Sequence, residues 1–91
     1  MAISKVAYIA TVYRHLEAFH LPFMKLLQNK GFVVHAYAAP DYSKEGVKKQ
    51  GVICHDIPFQ RSPFHPENVR AFKMLYNSFK NERFCFIHVH T

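Results

Sequence analysis

The chain has 91 residues, a length that fits one domain near the small end of the usual range. Hydrophobic residues make up 49% of it and aromatic residues 15%, which excludes a disordered chain and indicates a globular one. The formal net charge of +6 indicates either a solvated basic surface or attraction to an acidic partner such as phosphate, nucleic acid or anionic lipid.

The first predicted element is a strand over residues 5–12, KVAYIATV, which is apolar on both faces. Arg14 and His15 interrupt the apolar run, so it predicts a strand rather than a signal peptide or a membrane span. Cys54 and Cys85 lie in hydrophobic segments further along. This placement predicts free, buried thiols in a reducing cytoplasm rather than a disulfide.

A helix is predicted next, because apolar residues recur at helical spacing from Leu16 to Leu27. Gly31 is its predicted stop. Proline is tolerated only in the first turn of a helix or at a kink, so Pro22 predicts an irregular start near His15 and a regular helix from about Phe19.

The rest of the chain continues the alternation of strand and helix. The last helix is amphipathic, with Val69, Phe72, Leu75, Tyr76 and Phe79 on its predicted core side. The segments are a strand over 32–39, a short helix over 42–50, a strand over 52–59, a loop over 60–66, a helix over 67–82 and a strand over 83–91.

This order predicts an α/β fold, a Rossmann-like three-layer α/β/α arrangement with a four-stranded parallel sheet in the order 3-2-1-4. Ligands of such sheets bind beyond the carboxyl ends of the strands, where the strand order reverses. Residues 11–15 are therefore expected beside residues 88–91.

The turn after the first strand reads ATVYRH and contains no glycine. Neither the dinucleotide fingerprint GxGxxG nor the phosphate loop GxxxxGK[ST] occurs, and no catalytic serine elbow is present. The chain is therefore expected to bind no cofactor.

The closing letters FCFIHVHT place His88 and His90 on one side of an extended strand and Cys85 on the other. A zinc site would need another ligand from elsewhere in the chain. Three interpretations stay open: hydrogen bonding at the strand end, contact with a substrate or cofactor, and a metal site.

Other candidates for ligand contact are Arg14 and His15, in the predicted loop after the first strand, and Arg61, in the loop FQRSP. Arg61 could equally brace its own loop. His20 could pack or cap the helix start. The phenylalanines fall mainly on predicted core faces, so stacking on nucleic-acid bases is not expected.

Motifs along almost the whole chain resemble the start of the bacterial family 4 glycosyltransferases of exopolysaccharide and capsule synthesis. The order of the motifs is that of the family, and Cys85 departs from it, since the family usually has Asp there. The matching residues are His15, Leu16, Phe19, His20 and Pro22; Gly31, Phe32, Val34 and His35; Phe59, Arg61 and Pro63; and Ile87, His88, His90 and Thr91.

The resemblance implies an enzyme with two Rossmann-like domains facing a cleft, the GT-B fold. Residues 1–91 would form a single partial domain, about the first half of the acceptor-side N-terminal domain, with no donor-binding domain present. The catalytic residues are unknown and no metal is implied. The implied acceptor-binding residues are Arg14, His15, His20, Arg61, His90 and Thr91.

The reaction implied is transfer of a sugar from a nucleotide sugar to a glycan acceptor, lipid-linked, in capsular or exopolysaccharide synthesis. Donor and acceptor must share one water-poor cleft, so this chain alone is expected to be inactive. Two alternatives remain: a non-catalytic truncated domain and a small phosphate-binding module of flavodoxin-like shape.

The expected partners are a glycan or lipid-linked acceptor, an anionic membrane surface and a second copy of the chain, with no nucleic acid. A second copy is expected because the fourth strand leaves an open sheet edge. The expected location is the cytoplasm, including the inner face of the membrane.

Overall fold

The computed structural model describes residues 4–59 and 66–89. Strands and helices alternate along them, as the sequence predicts. The elements are β1 (Lys5–Val12), α1 (Tyr13–Phe19), α2 (Leu21–Asn29), β2 (Val33–Ala39), α3 (Lys44–Lys49), β3 (Ile53–Asp56), α4 (Glu67–Asn81) and β4 (Phe84–Val89).

The four strands form one parallel sheet in the order β3-β2-β1-β4, which confirms the predicted order. Tyr8 of β1 is level with Ala36 of β2 on one side and with His88 of β4 on the other. The strand order reverses between β1 and β4, so these two strands frame the position where such sheets bind ligands.

Alternate residues of β1 enter two separate cores, as expected of a strand covered on both faces. Val6, Tyr8 and Ala10 pack in a cluster that includes Leu16, Met24 and Val47 from α1, α2 and α3. Ala7 packs in a second cluster, beneath α4 on the opposite face, and the buried members of that cluster are Ala7, Tyr37, Ile57, Ala71 and Leu75. Helices therefore cover both faces of the sheet, which confirms the Rossmann-like α/β fold.

The first helical region differs from its prediction. It is helical from Tyr13 onward and is interrupted at His20, rather than irregular near His15 and regular from Phe19. Pro22 lies in the first turn of α2, where its missing N–H costs no intrahelical hydrogen bond. The proline therefore begins a second helix instead of delaying the first.

Glycine ends two of the helices. Gly31 follows α2 with a φ of 95°, and Gly51 follows α3 with a φ of 87°. This left-handed backbone is readily adopted by glycine and turns the chain sharply toward the next strand. The predicted stop at Gly31 is confirmed.

The predicted core side of α4 is confirmed only in part. Leu75 is buried and Phe79 packs against the core, as predicted. The predicted core residues that are instead exposed, by 61%, 69% and 69%, are Val69, Phe72 and Tyr76. Apolar residues recur at helical spacing on two sides of α4, and the spacing alone does not tell which side packs on the sheet. The small Ala71 is buried and lets α4 approach the sheet, while these three side chains lie outside.

Both cysteines are free, as predicted, but only Cys54 is half-buried. Cys85 lies on β4 and is exposed, so the expectation of two buried thiols is wrong for it. β4 is an edge strand, and this leaves its side chains with few neighbours.

Candidate functional site

A cluster of aromatic rings connects β1, β4 and the junction of α1 with α2. The ring centroids of Tyr8 and His88 are 5.2 Å apart, those of Tyr8 and His20 are 5.6 Å apart, and those of His20 and His88 are 4.7 Å apart. Tyr8 and His88 are also register partners in the sheet. His20 and His88, 68 positions apart along the chain, thus meet where the strand order reverses.

The helix interruption positions His20. Its N–H donates to the carbonyl of Leu16 at 2.9 Å, and its own carbonyl accepts from the N–H of Met24 at 3.0 Å. Its φ of −119° takes it out of regular helical geometry, and the new helix begins at Leu21 with Pro22 in its first turn. The imidazole consequently lies over Tyr8 and His88.

The cluster forms one end of an open groove of about 330 Å³, on the side of the sheet that α2 covers. Burial raises the pKa of Tyr8, so its hydroxyl stays protonated and can both donate and accept hydrogen bonds. Most of the remaining wall is aromatic or aliphatic. The lining residues are Tyr8, Phe19, His20, Phe23, Leu26, Leu27 and His88.

The chemistry of this groove suits a small ligand with both apolar and polar faces. Phe19 and Phe23 are 59% and 60% exposed and offer flat apolar surface, while the imidazoles and the phenol provide hydrogen-bonding groups. In residues 4–59 and 66–89, no group of three or more His, Cys, Asp or Glu residues is placed to hold a metal ion. The groove therefore combines apolar packing with hydrogen bonding.

Arg14 and His15 lie in the first turns of α1 and not in a loop, which corrects the prediction. Neither lines the groove. The side chain of Arg14 is exposed, and its backbone N–H donates to a carboxylate oxygen of Asp41 at 3.0 Å. Asp41 also accepts from the N–H of Ser43 at 3.0 Å, so a carboxylate of the chain itself bonds the start of α1.

Among the predicted site residues, His20 is the one that the structure brings together with the end of β4. Arg61, His90 and Thr91 lie outside the described residues, and their roles stay predictions. His88 lines the groove, and the parity of the HVH motif was the sequence signal for it. No sequence signal pointed to Tyr8, which follows the ordinary alternation of a buried strand.

A polar cluster that no sequence motif indicated joins α1, α3 and β3. Asp56 accepts hydrogen bonds from the hydroxyl of Tyr13 at 2.9 Å and from the Nζ of Lys44 at 2.8 Å. Burial acts to raise the pKa of Asp56, but the bonds from Lys44 and Tyr13 outweigh it and the pKa is lowered. Burial, with a smaller contribution from Asp56, raises the pKa of Tyr13 strongly. This cluster therefore ties α1 and α3 to the end of β3.

A histidine pair lies beneath α4 on the opposite face of the sheet. The Nδ1 of His35 is 2.9 Å from the Nε2 of His55, and the ring of His55 stacks on Tyr37 with centroids 4.3 Å apart. Burial lowers the pKa of both histidines. The Nε2 of His35 is buried and has no hydrogen-bond partner among the described residues, and the ion pair of Lys5 with Glu82 lies nearby. The lowered pKa values favour the neutral form of the pair, in which His35 is buried and His55 is half-buried.

Comparison with known proteins gives one relative. The chain is 32% identical over 87 residues to the "Putative glycosyltransferase EpsD" of Bacillus subtilis (strain 168). The alignment covers 96% of this chain and 22% of that relative, so the chain spans about a fifth of the relative's length. No family model and no solved structure matches the chain.

Proposed function

We propose that this chain forms the acceptor-binding part of a glycosyltransferase, which transfers a sugar from a nucleotide-sugar donor to a glycan acceptor. The groove at Tyr8, His20 and His88 carries the proposal, because Tyr8 and His88 are neighbours on β1 and β4, the two strands at which the strand order reverses. The similarity to the Bacillus subtilis protein supports the same class of activity.

The side chains of the groove fit a sugar ring. The C–H faces of a sugar pack on aromatic rings, while its hydroxyl groups exchange hydrogen bonds with imidazole and phenol groups. Ligand sites span about 300–1,000 Å³, and the groove is near the lower end of that range. Its volume of about 330 Å³ suits one or two sugar units of a longer acceptor.

On this proposal the chain binds the acceptor and does not transfer sugar alone. Its first turn carries none of the glycine-rich patterns that hold nucleotide phosphates, and transfer requires donor and acceptor in one cleft. The acceptor is proposed to be a lipid-linked glycan of capsular or exopolysaccharide synthesis, and the net charge of +6 suits an acceptor at an anionic membrane.

A titration followed by NMR tests the proposal. The 91-residue chain is titrated with short oligosaccharides, free and linked through diphosphate to a prenyl chain, while the side-chain signals of Tyr8, His20 and His88 are recorded. We expect saturable shifts of these signals and none on addition of nucleotide sugar. Absence of shifts with every glycan would contradict the proposal.

The alternative of a phosphate-binding module predicts a different response. Inorganic phosphate would then shift the signals of Arg14 and its neighbours, and glycans would shift none. The structure favours the glycan, because the amide of Arg14 at the start of α1 is already bonded to Asp41. Shifts with phosphate alone would reverse this choice.

A further inference from the structure

α4 carries a stripe of large apolar side chains on its outer side. Val69, Phe72 and Tyr76 follow one another at spacings of three and four residues, so they share one side of the helix. Their exposed fractions of 61%, 69% and 69% contrast with complete burial of Ala71. A run of large apolar side chains open to water on one helix indicates a surface that meets a partner.

Basic side chains lie directly beside this stripe. Arg70, Lys73 and Lys80 are exposed, and at 100° per residue they fall on the part of the outer side next to the apolar residues. Glu67, the acidic residue of α4, is 3.5 Å from Arg70. Lys73 and Lys80 form no ion pair within the described part of the chain. The outer side of α4 is thus divided into an apolar stripe and a positive stripe.

This division chooses among possible partners. An apolar stripe alone would fit another protein, a second copy of the chain or a lipid surface. A second copy placed on this side by a two-fold axis would bring the lysines of both helices together, and like charges repel. A bilayer with anionic headgroups provides negative charge beside an apolar layer, which matches both stripes.

We propose that the outer side of α4 docks on a lipid bilayer with anionic headgroups. Val69, Phe72 and Tyr76 enter the boundary between headgroups and acyl chains, and Lys73 and Lys80 bind the headgroups. The helix lies along the surface, as an amphipathic helix with a basic polar side does. None of the helices in the described residues has the length and apolar content to span a bilayer.

The proposed docking leaves the acceptor groove free. α4 covers one face of the sheet, whereas the groove lies on the face covered by α2. The docking surface therefore consists of residues that take no part in the proposed binding of the acceptor. Failure of glycan binding and failure of membrane binding are separate results of separate measurements.

Co-sedimentation with vesicles tests the proposal. The whole chain is mixed with vesicles of phosphatidylcholine alone and of phosphatidylcholine with phosphatidylglycerol, and the bound fraction is measured at increasing salt. We expect binding to the anionic vesicles that weakens as salt screens the lysines. Equal binding to both vesicle types, or no binding to either, overturns the proposal.

Two pairs of variants locate the surface. F72S/Y76S removes apolar area, and K73Q/K80Q removes two charges, each worth about fivefold in partition coefficient. We expect both pairs to lose binding, with the K73Q/K80Q variant also losing salt dependence. Because all four side chains are exposed, thermal unfolding should stay near that of the parent chain.

Matched controls use exposed residues outside α4 and outside the groove. Y42S replaces a tyrosine that is 80% exposed, and K48Q/K49Q removes two charges from α3. These variants should bind vesicles like the parent chain. A loss of vesicle binding in these controls as large as in the α4 variants would show that α4 is not the docking surface. The same conclusion would follow if light scattering showed that F72S/Y76S only dissociates a dimer.

Discussion

The imidazoles of His20 and His88 lie with their ring centroids 4.7 Å apart at an interplanar angle of 65°. One belongs to the junction of two helices and the other to the edge strand of the sheet. Tyr8 is close to both rings, so the groove depends on contacts between distant parts of the chain. Its integrity can therefore be tested by coupled substitutions.

We expect H20A and H88A each to weaken glycan binding by about tenfold, since a hydrogen bond and an aromatic contact together contribute about 1–2 kcal/mol. The H20A/H88A variant should lose less than the sum of the single losses, because each ring supports the other. Isothermal titration calorimetry with the oligosaccharide that shifts the NMR signals measures all three. Tyr42, which is 80% exposed, provides the control Y42A. Additive losses would mean that the two rings act independently.

The stability of the fold should fall in mild acid. His35 and His55 have pKa values below their ordinary 6.5, with burial the largest cause, so the unfolded chain binds their protons more readily. The stabilisation is complete above pH 6.5 and is lost as the pH falls below it toward the folded pKa values. Urea unfolding from about pH 8 to about pH 5 should show this loss.

The H55F variant tests the source of the acid response, because it keeps a ring against Tyr37 and removes one titrating group. We expect it to be less stable near neutral pH, because it leaves a nitrogen of His35 without its partner, and less sensitive to acid. V69A should respond to acid like the parent chain, since Val69 does not titrate and is 61% exposed. An unchanged pH response of H55F would place the sensitivity elsewhere.

Y13F should destabilise the fold by about 1 kcal/mol, because it leaves Asp56 without one of its two donors. Tyr13 is fully buried, so the ring itself should stay in place. Denaturant unfolding measures the change, and Y42F is the exposed control, expected to be neutral. A loss as large in Y42F would remove the hydrogen bond as the explanation.

G31A should cost about 1 kcal/mol, because Gly31 has a φ of 95° that alanine adopts only with strain. Nothing lies within 4 Å of the position of an added Cβ, so the cost is conformational and not steric. Thermal unfolding measures it. G46A is the contrast: Gly46 has no positive φ, and an added Cβ meets only the flexible carboxylate end of Glu17. We expect a smaller change for G46A.

Association through the free edge of β4 is expected at high concentration. β3, the other edge, has four residues, ends at Asp56 and is followed by Pro58, features that discourage strand pairing. β4 has six residues, of which Ile87 and Val89 are 43% and 56% exposed. Sedimentation equilibrium should therefore show a dimer that I87K weakens. A monomer at every concentration would count against it.

The strands were predictable because burial on both faces leaves a strong local pattern. β1 has the predicted bounds, residues 5–12, and the order of all four strands follows from the alternation with helices. The burial of α4 was predictable only in part, for Leu75 and Phe79, because Ala71 is buried and Phe72 is exposed, and apolar spacing alone favours the larger residue. Which of the two apolar stripes is buried depends on contacts with the sheet beneath the helix, and the helix sequence alone does not contain that information.

The candidate site was likewise predictable from the sequence only in part. Topology predicted that the end of β4 contributes to the site, because the carboxyl ends of neighbouring parallel strands lie together, whereas His20 was a candidate only through the resemblance to a glycosyltransferase family. The position of Arg14 was not, because no breaker separates β1 from α1 and helix begins directly at Tyr13. The contact of Asp41 with α1 was also hidden, since its donor is a backbone amide 27 residues away that any residue type would supply.

The interruption at His20 has a consequence for how such a protein can change. A continuous helix would fix the rotation of Phe23 and Leu26 relative to Leu16, so any insertion would displace buried and exposed side chains together. Because α1 and α2 are separate, a change in the length or angle of the junction can turn the groove wall while Tyr13 and Leu16 stay in the core. Ligand preference can then diverge between related proteins without a cost to folding.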